Sequence, residues 1–163
     1  MIIYCYKGCY KSQKAVLFEK AWDDYSLGRK LPPIIREEKA KPRFEDDACH
    51  FSISHSRDYW ACVFSQNQVG LDIQYRKTSG RELLIARRFF SSQEAAQVEN
   101  EGAHVFYKLW TKREALGKYL GTGFFIPQEI KAYPIIKEFT IGDEYQGAIA
   151  IEKEEEIWIK TIS

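Results

Sequence analysis

At 163 residues the chain is long enough for one domain that buries roughly two thirds of its unfolded surface. Its 45% hydrophobic and 29% charged content is ordinary for a soluble globular protein. A net charge of +1 excludes a nucleic-acid footprint spread over the whole molecule, and no apolar run nears the roughly 18 residues that would span a membrane. The N-terminal stretch MIIYCYKGCYK has too short an apolar run and the wrong flanks for a signal peptide, so the expected location is cytoplasmic.

Residues 2–6 are apolar and aromatic and predict a strand. Residues 12–27 have helical spacing through Val16, Leu17, Phe18, Ala21, Trp22 and Tyr25, with Gly28 as the expected C-cap and Pro32 and Pro33 beyond. Residues 34–47 are polar and mixed, giving a short strand and a loop. A β-rich block follows: HFSISHS, YWACVFS and QVGLDIQYR at hairpin-like spacing. Helices are predicted near 80–89, 92–101 and 103–120, with GTGF ending the last. Residues 124–162 read as strands with short turns, among them GDE at 142–144 and YQG at 145–147. The predicted class is α+β with mostly antiparallel pairing.

The four cysteines, Cys5, Cys9, Cys49 and Cys62, lack the tight paired spacing of a zinc site. They read as reduced structural thiols, with Cys62 in strand core. In VGLDIQ, a strand puts Val69, Leu71 and Ile73 on one face and Gly70, Asp72 and Gln74 on the other. Asp72 and Gln74 are then oxygen-bearing neighbours, and Gly70 leaves space beside them; the plain alternative is an edge strand with a solvated face. On the helix that contains KLWTKREALGK, Val105, Phe106, Leu109, Trp110, Leu116 and Leu120 form one apolar arc with Gly117 at its middle. A glycine there lets another backbone come close, against a helix cost of roughly 1 kcal/mol. Glu114 and Lys118 lie one turn apart at the border of the arc, which also describes an ordinary surface ion pair. Arg113 projects into the arc, where a buried guanidinium calls for a carboxylate.

FSISHS, VGLDIQ and LWTKREALGKYLGTG, in this order and at these separations, resemble the 4'-phosphopantetheinyl transferases, and more closely the larger, surfactin-synthetase-activating class. The ordered set of three carries the resemblance, over residues 36–123, and EEKAKP resembles the family's Gly-Lys-Pro element. The resemblance implies a pseudo-twofold α+β fold of mostly antiparallel sheet packed with helices. One domain would cover 1–163, with a shortened N-terminal half at about 1–45 and a motif-bearing part at about 46–163.

The resemblance also implies a reaction. A serine of an apo acyl carrier protein or peptidyl carrier domain attacks the β-phosphate of coenzyme A, takes the phosphopantetheine arm and releases 3',5'-ADP. Mg²⁺ would neutralise the diphosphate, held by Asp72 and Glu114 with Gln74 as an uncharged third ligand. Glu114 would accept the serine proton, directly or through water. Lys118 and His55 would face the phosphates, Ser54 would line the same wall, and Lys41 would meet the 3'-phosphate.

The chain departs from the family pattern at Gln74, where many members are acidic, at Arg113 in place of lysine, and at Ala40 in place of glycine. Arg36 is the nearest substitute for the basic residues of a fuller N-terminal half, which a partner chain would otherwise complete. EIWIKTIS reads as stopping before a last strand. A second function is therefore a degenerate module that binds coenzyme A or a carrier without transfer. The SHS around His55 has no nucleophile elbow, and Ser54 and His55 point to opposite strand faces. His50 and His104 read as structural or exposed. Arg76, Lys77, Arg81, Arg87 and Arg88 could contact nucleic acid, but more simply steer an acidic carrier.

Overall fold

The computed structural model describes every residue except 39, 48, 128 and 131; Lys39 of the EEKAKP stretch is therefore outside the described residues. The chain opens with strand β1 (Ile2–Lys7), a 3-10 turn (Tyr10–Ser12) and helix α1 (Lys14–Ser26). A small hairpin of β2 (Ile34–Ile35) and β3 (Arg43–Phe44) leads to β4 (His50–Ser56), β5 (Tyr59–Ser65) and β6 (Val69–Tyr75). Three helices follow, α2 (Glu82–Phe89), α3 (Ser92–Glu101) and α4 (Ala103–Leu120). The described chain closes with β7 (Ile135–Ile141), β8 (Tyr145–Ile151) and β9 (Trp158–Thr161).

One sheet has the order β4-β5-β1-β9 and another β6-β8-β7. All pairs are antiparallel except β1 with β9, so the predicted α+β class with mostly antiparallel pairing holds. The two sheets repeat one pattern. In each, a strand precedes helix and then two further strands, and the last of these inserts between the first and the second.

Alternation along the strands sorts side chains into layers. Ile3, Cys5, Ala61 and Val63 face Val69, Leu71, Ile73, Ile149 and Ile151 between the sheets. Behind the first sheet, Leu17, Phe18, Ala21 and Trp22 of α1 pack on Tyr4, Phe51, Trp60, Cys62 and Phe64. Behind the second, Ala115 and Tyr119 of α4 pack on Ala148 and Ala150. The predicted apolar arc of α4 divides. Val105, Phe106, Leu109 and Trp110 pack with α2 and α3, whereas the sheet is met by the face of Thr111, Ala115 and Tyr119.

Several local expectations are corrected. The left-handed cap of α1 is Leu27 (φ 56°), which is 93% exposed, with Gly28 following at φ 83°. Tyr145–Gly147 begin β8 instead of making a turn, and Gly147 lies beneath the Phe139 ring. Residues 158–161 form a strand paired with β1, in keeping with the strands expected over 124–162. The cysteines are free thiols as expected, with Cys5, Cys49 and Cys62 buried and Cys9 exposed. Among the described residues no helix is long and apolar enough to cross a membrane.

Candidate active site

The site grows out of two close backbone approaches. Gly70 does not leave open space beside Asp72: a Cβ there would overlap the Ala115 carbonyl and the Tyr119 amide, so α4 sits directly on β6. At Gly117 a Cβ would overlap the carbonyl of Gly123. The expected close approach is therefore real, and the incoming backbone is the helix's own continuation, turned back by Gly121 (φ 74°) and Gly123 (φ 63°).

The free edge of β6 meets β4, and serine hydroxyls take the place of a strand ladder. Ser52, Ser54 and Ser56 accept from the amides of Leu71, Ile73 and Tyr75 at 2.9, 3.1 and 3.0 Å. Edge amides buried without acceptors would each cost about 1–3 kcal/mol. Ser54 also donates to Asp72 Oδ1 at 2.8 Å, and Ser56 to Gln74 Oε1 at 3.3 Å. Asp72 is 2% exposed, so the plain alternative of a solvated polar face does not describe it.

Lys118 Nζ donates to the same Asp72 oxygen at 2.8 Å. It thus bonds across to the strand and not to Glu114 on its own helix. Glu114 is half-buried, and burial first, then the charge of Asp72, pushes its carboxyl above the ordinary range, with Lys118 opposing. Two carboxylates that repel each other beside one amine are a donor set that suits a hard divalent cation. Gln74 fits less well as placed: its amide nitrogen is 3.5 Å from Asp72 Oδ2, while its carbonyl oxygen is held by Ser56. Among the described residues no three His, Cys, Asp or Glu side chains gather around one point.

Lys118 also forms one wall of a cavity of about 730 Å³, a size common for small-molecule sites. Its other cations are Lys14, Arg36 and Lys41, with Glu19 opposing them and the His55 imidazole beside them, and its apolar wall includes Phe18, Phe51 and Trp60. Asp72 and Glu114 stand behind Lys118 and do not line this space. Lys41 Nζ donates to the Val69 carbonyl at 2.5 Å; burial, with Lys118 adding, lowers its pKa to about 8. Burial, then Lys14 and Lys118, lowers that of His55, whose ring stacks on Tyr10 at 5.4 Å.

The structure thus brings Asp72, Gln74, Ser54, Lys118 and Glu114 together, with Lys41 and His55 around the adjoining cavity. Ser54 and His55 do point to opposite faces, and His50 and His104 are exposed. Arg113 finds no carboxylate: its guanidinium lies over Phe124 at 5.2 Å, and its buried Nε has no hydrogen-bond partner among the described residues. Sequence reasoning missed Lys14, which sits on α1 at the cavity edge, because nothing in a helix's first turn announces what lies opposite it. It also missed the acceptor role of Ser52 and Ser56, although a serine at every second strand position is a readable signal.

Residues 68–156, more than half of the chain, match the model of the 4'-phosphopantetheinyl transferase superfamily. The 4'-phosphopantetheinyl transferase Sfp of Bacillus subtilis is 34% identical over 134 residues, which are 78% of this chain and 55% of that protein. The 4'-phosphopantetheinyl transferase gsp of Aneurinibacillus migulanus is 35% identical over 96 residues, 56% of this chain and 39% of the relative. For HetI of Nostoc the figures are 32% over 105 residues, 58% and 44%. The chain spans about half the length of these relatives. With its site residues inside or beside the matched stretch, the chain belongs to the 4'-phosphopantetheinyl transferase superfamily.

Proposed function

We propose that the protein transfers the 4'-phosphopantetheine arm of coenzyme A to a serine of an apo acyl or peptidyl carrier protein, with Mg²⁺ required and 3',5'-ADP released. The observation that carries this reading is the β6–α4 contact, which holds Asp72 and Lys118 in a 2.8 Å ion pair with Glu114 one helical turn from Lys118, beside a cavity lined by Lys14, Arg36 and Lys41. Asp72 and Glu114 would hold the metal, with Gln74 contributing after its amide turns. When bound, the cation neutralises charge on the diphosphate.

The chain's own groups do the rest. Lys118, His55 and Lys41 give the phosphates fixed cations and donors in a partly buried setting, where such interactions are strengthened. Ser54 holds Asp72 in place. The carrier serine oxygen forms a bond to the β-phosphorus as the bond from that phosphorus to the nucleotide's phosphate oxygen breaks. The serine proton passes to Glu114, whose raised proton affinity suits a base. We assign the two repeated strand–helix–strand–strand units, Ile2–Ser65 and Val69–Ile151, to the pseudo-twofold halves. A cytoplasmic location suits these substrates.

The test is intact mass of an apo carrier protein incubated with coenzyme A and Mg²⁺. Wild type should add the phosphopantetheine mass, and Glu114→Gln should lower the rate at least a thousandfold, in line with loss of a base and a metal ligand together. Gln74, which turns its nitrogen toward Asp72, favours the second reading of a module that binds without transfer. Coenzyme A binding with no mass gain on any carrier would establish that reading instead.

A further inference from the structure

A second cavity, of about 600 Å³, adjoins the first. His55 lines the larger one and Tyr10 the smaller, and the stack of these two rings divides them. The smaller cavity also reaches the end of β6. From Asp72 to Tyr75 on its wall is three residues, roughly 10 Å of strand.

The walls of this space are held in place. Tyr75 donates to Glu144 at 3.2 Å, Tyr145 donates to Asp58, and the Tyr59 and Tyr145 rings pack 4.5 Å apart. Two cations on the wall, Lys11 and Arg57, are not held in this way. Arg57 is the more constrained in its backbone. It occupies the two-residue connection between β4 and β5 at φ 50°, a left-handed conformation that glycine or asparagine adopts at little cost and a longer side chain resists. Its guanidinium lies over the Tyr75 ring, 3.5 Å from the centroid. Among the described residues its N–H donors make no hydrogen bond or ion pair. The hairpin connection itself calls for that left-handed residue, and Arg57 is exposed, so its donors face the cavity's solvent and are free to meet a ligand's acceptors.

We infer that this smaller cavity takes the pantetheine arm of coenzyme A; the inference rests on the function proposed above. The arm is uncharged and flexible, with two amides, a hydroxyl and a branched hydrocarbon. Its amide carbonyls suit the Arg57 donors, and its hydrocarbon suits the tyrosine-lined wall. The wall carries two cations, Lys11 and Arg57, and two carboxylates, Asp58 and Glu144, a balance that suits an uncharged polar chain. The nucleotide then fills the larger cavity and the diphosphate sits at the division, beside His55 and Lys118.

Calorimetric titration separates the two ends of the ligand. Coenzyme A is compared with 3'-phosphoadenosine 5'-diphosphate, which keeps the nucleotide and both 5'-phosphates and lacks the arm. Each is titrated into wild type and Arg57→Gly, a substitution that relieves the left-handed residue and whose fold is checked by its thermal melt. Wild type should bind coenzyme A more tightly than the armless nucleotide. Arg57→Gly should weaken coenzyme A about tenfold and leave the armless nucleotide within twofold. Equal weakening of both, no weakening of either, or an effect confined to the KM for the carrier protein would overturn the inference; the last would make this a carrier contact. If the armless nucleotide binds and coenzyme A binds no better, the arm subsite alone falls. If neither binds wild type, the proposed function falls with it.

Discussion

The two strand–helix–strand–strand units share a strand order but fill the space between helix and sheet with opposite materials. In the first, Phe18 and Trp22 of α1 interlock with Phe44, Phe51 and Phe64 at centroid distances of 5.0–6.2 Å. In the second, Ala115 of α4 meets Gly70, Ala148 and Ala150 with scarcely any side chain between. Large rings hold helix and sheet apart, and the larger cavity opens at the margin of that gap, with Phe18, Phe51 and Trp60 in its wall. Small residues let the backbones meet, and only then does the Lys118 amine reach Asp72 with Glu114 beside them. One unit is built for room and the other for close approach.

The harshest way to break this contrast is Gly70→Ala. The new methyl meets backbone on two sides and cannot be relieved by a side-chain rotation. A stability loss of about 3 kcal/mol is expected from urea unfolding, at the upper end for overpacking. Transfer should fall at least a hundredfold even after correction for the folded fraction, because α4 must shift and carry Glu114 and Lys118 with it. Transfer near the wild-type rate would show that the distance between β6 and α4 does not set the site.

The matching change in the first unit is Phe64→Leu. Phe64 is 2% exposed and packs among Tyr4, Phe18, Trp22, Tyr25, Phe44 and Phe51, yet it does not line the cavity. A loss of about 1.5 kcal/mol is expected by the same unfolding measurement. Specific transfer should stay within twofold of wild type. A large loss of transfer at unchanged stability would mean that the aromatic layer positions the site after all.

The sequence made the elements of both units readable, because their periods are clean: alternation in HFSISHS and VGLDIQ, and helical spacing around Phe18 and Trp22 and around Phe106 and Trp110. The candidate residues were readable through a resemblance whose motifs fall on one strand pair and one helix. What stayed hidden was contact made at long range. Gly70 looked like open space because a glycine says only that something close is possible, not what comes close. Lys118 looked like a partner of Glu114 one turn away, whereas Asp72, 46 positions earlier, holds it. Arg113 demanded a partner and found the Phe124 ring, which lies past the end of its helix. The start of β8 at Tyr145–Gly147 was hidden by a glycine that serves packing under Phe139 instead of a turn.

The gentlest test sharpens the boundary between the units, where Lys41 bonds the first carbonyl of β6. Its folded pKa of about 8 lies below the ordinary 10.5. The unfolded chain therefore binds this proton more tightly, so Lys41 lowers stability fully below pH 8 and the loss is recovered as pH rises from 8 to 10.5. A phosphate beside the amine reverses the effect of burial and lifts the pKa back. Coenzyme A binding at pH 8.5 should then take up roughly three quarters of a proton. The apparent binding enthalpy should accordingly differ between two buffers of unlike ionisation enthalpy, and the difference should fade at pH 7, where Lys41 is already charged. Lys41→Met should remove it. Uptake that persists in that variant would place the titrating group elsewhere, and no uptake in wild type would mean that the amine between the two units does not meet a phosphate.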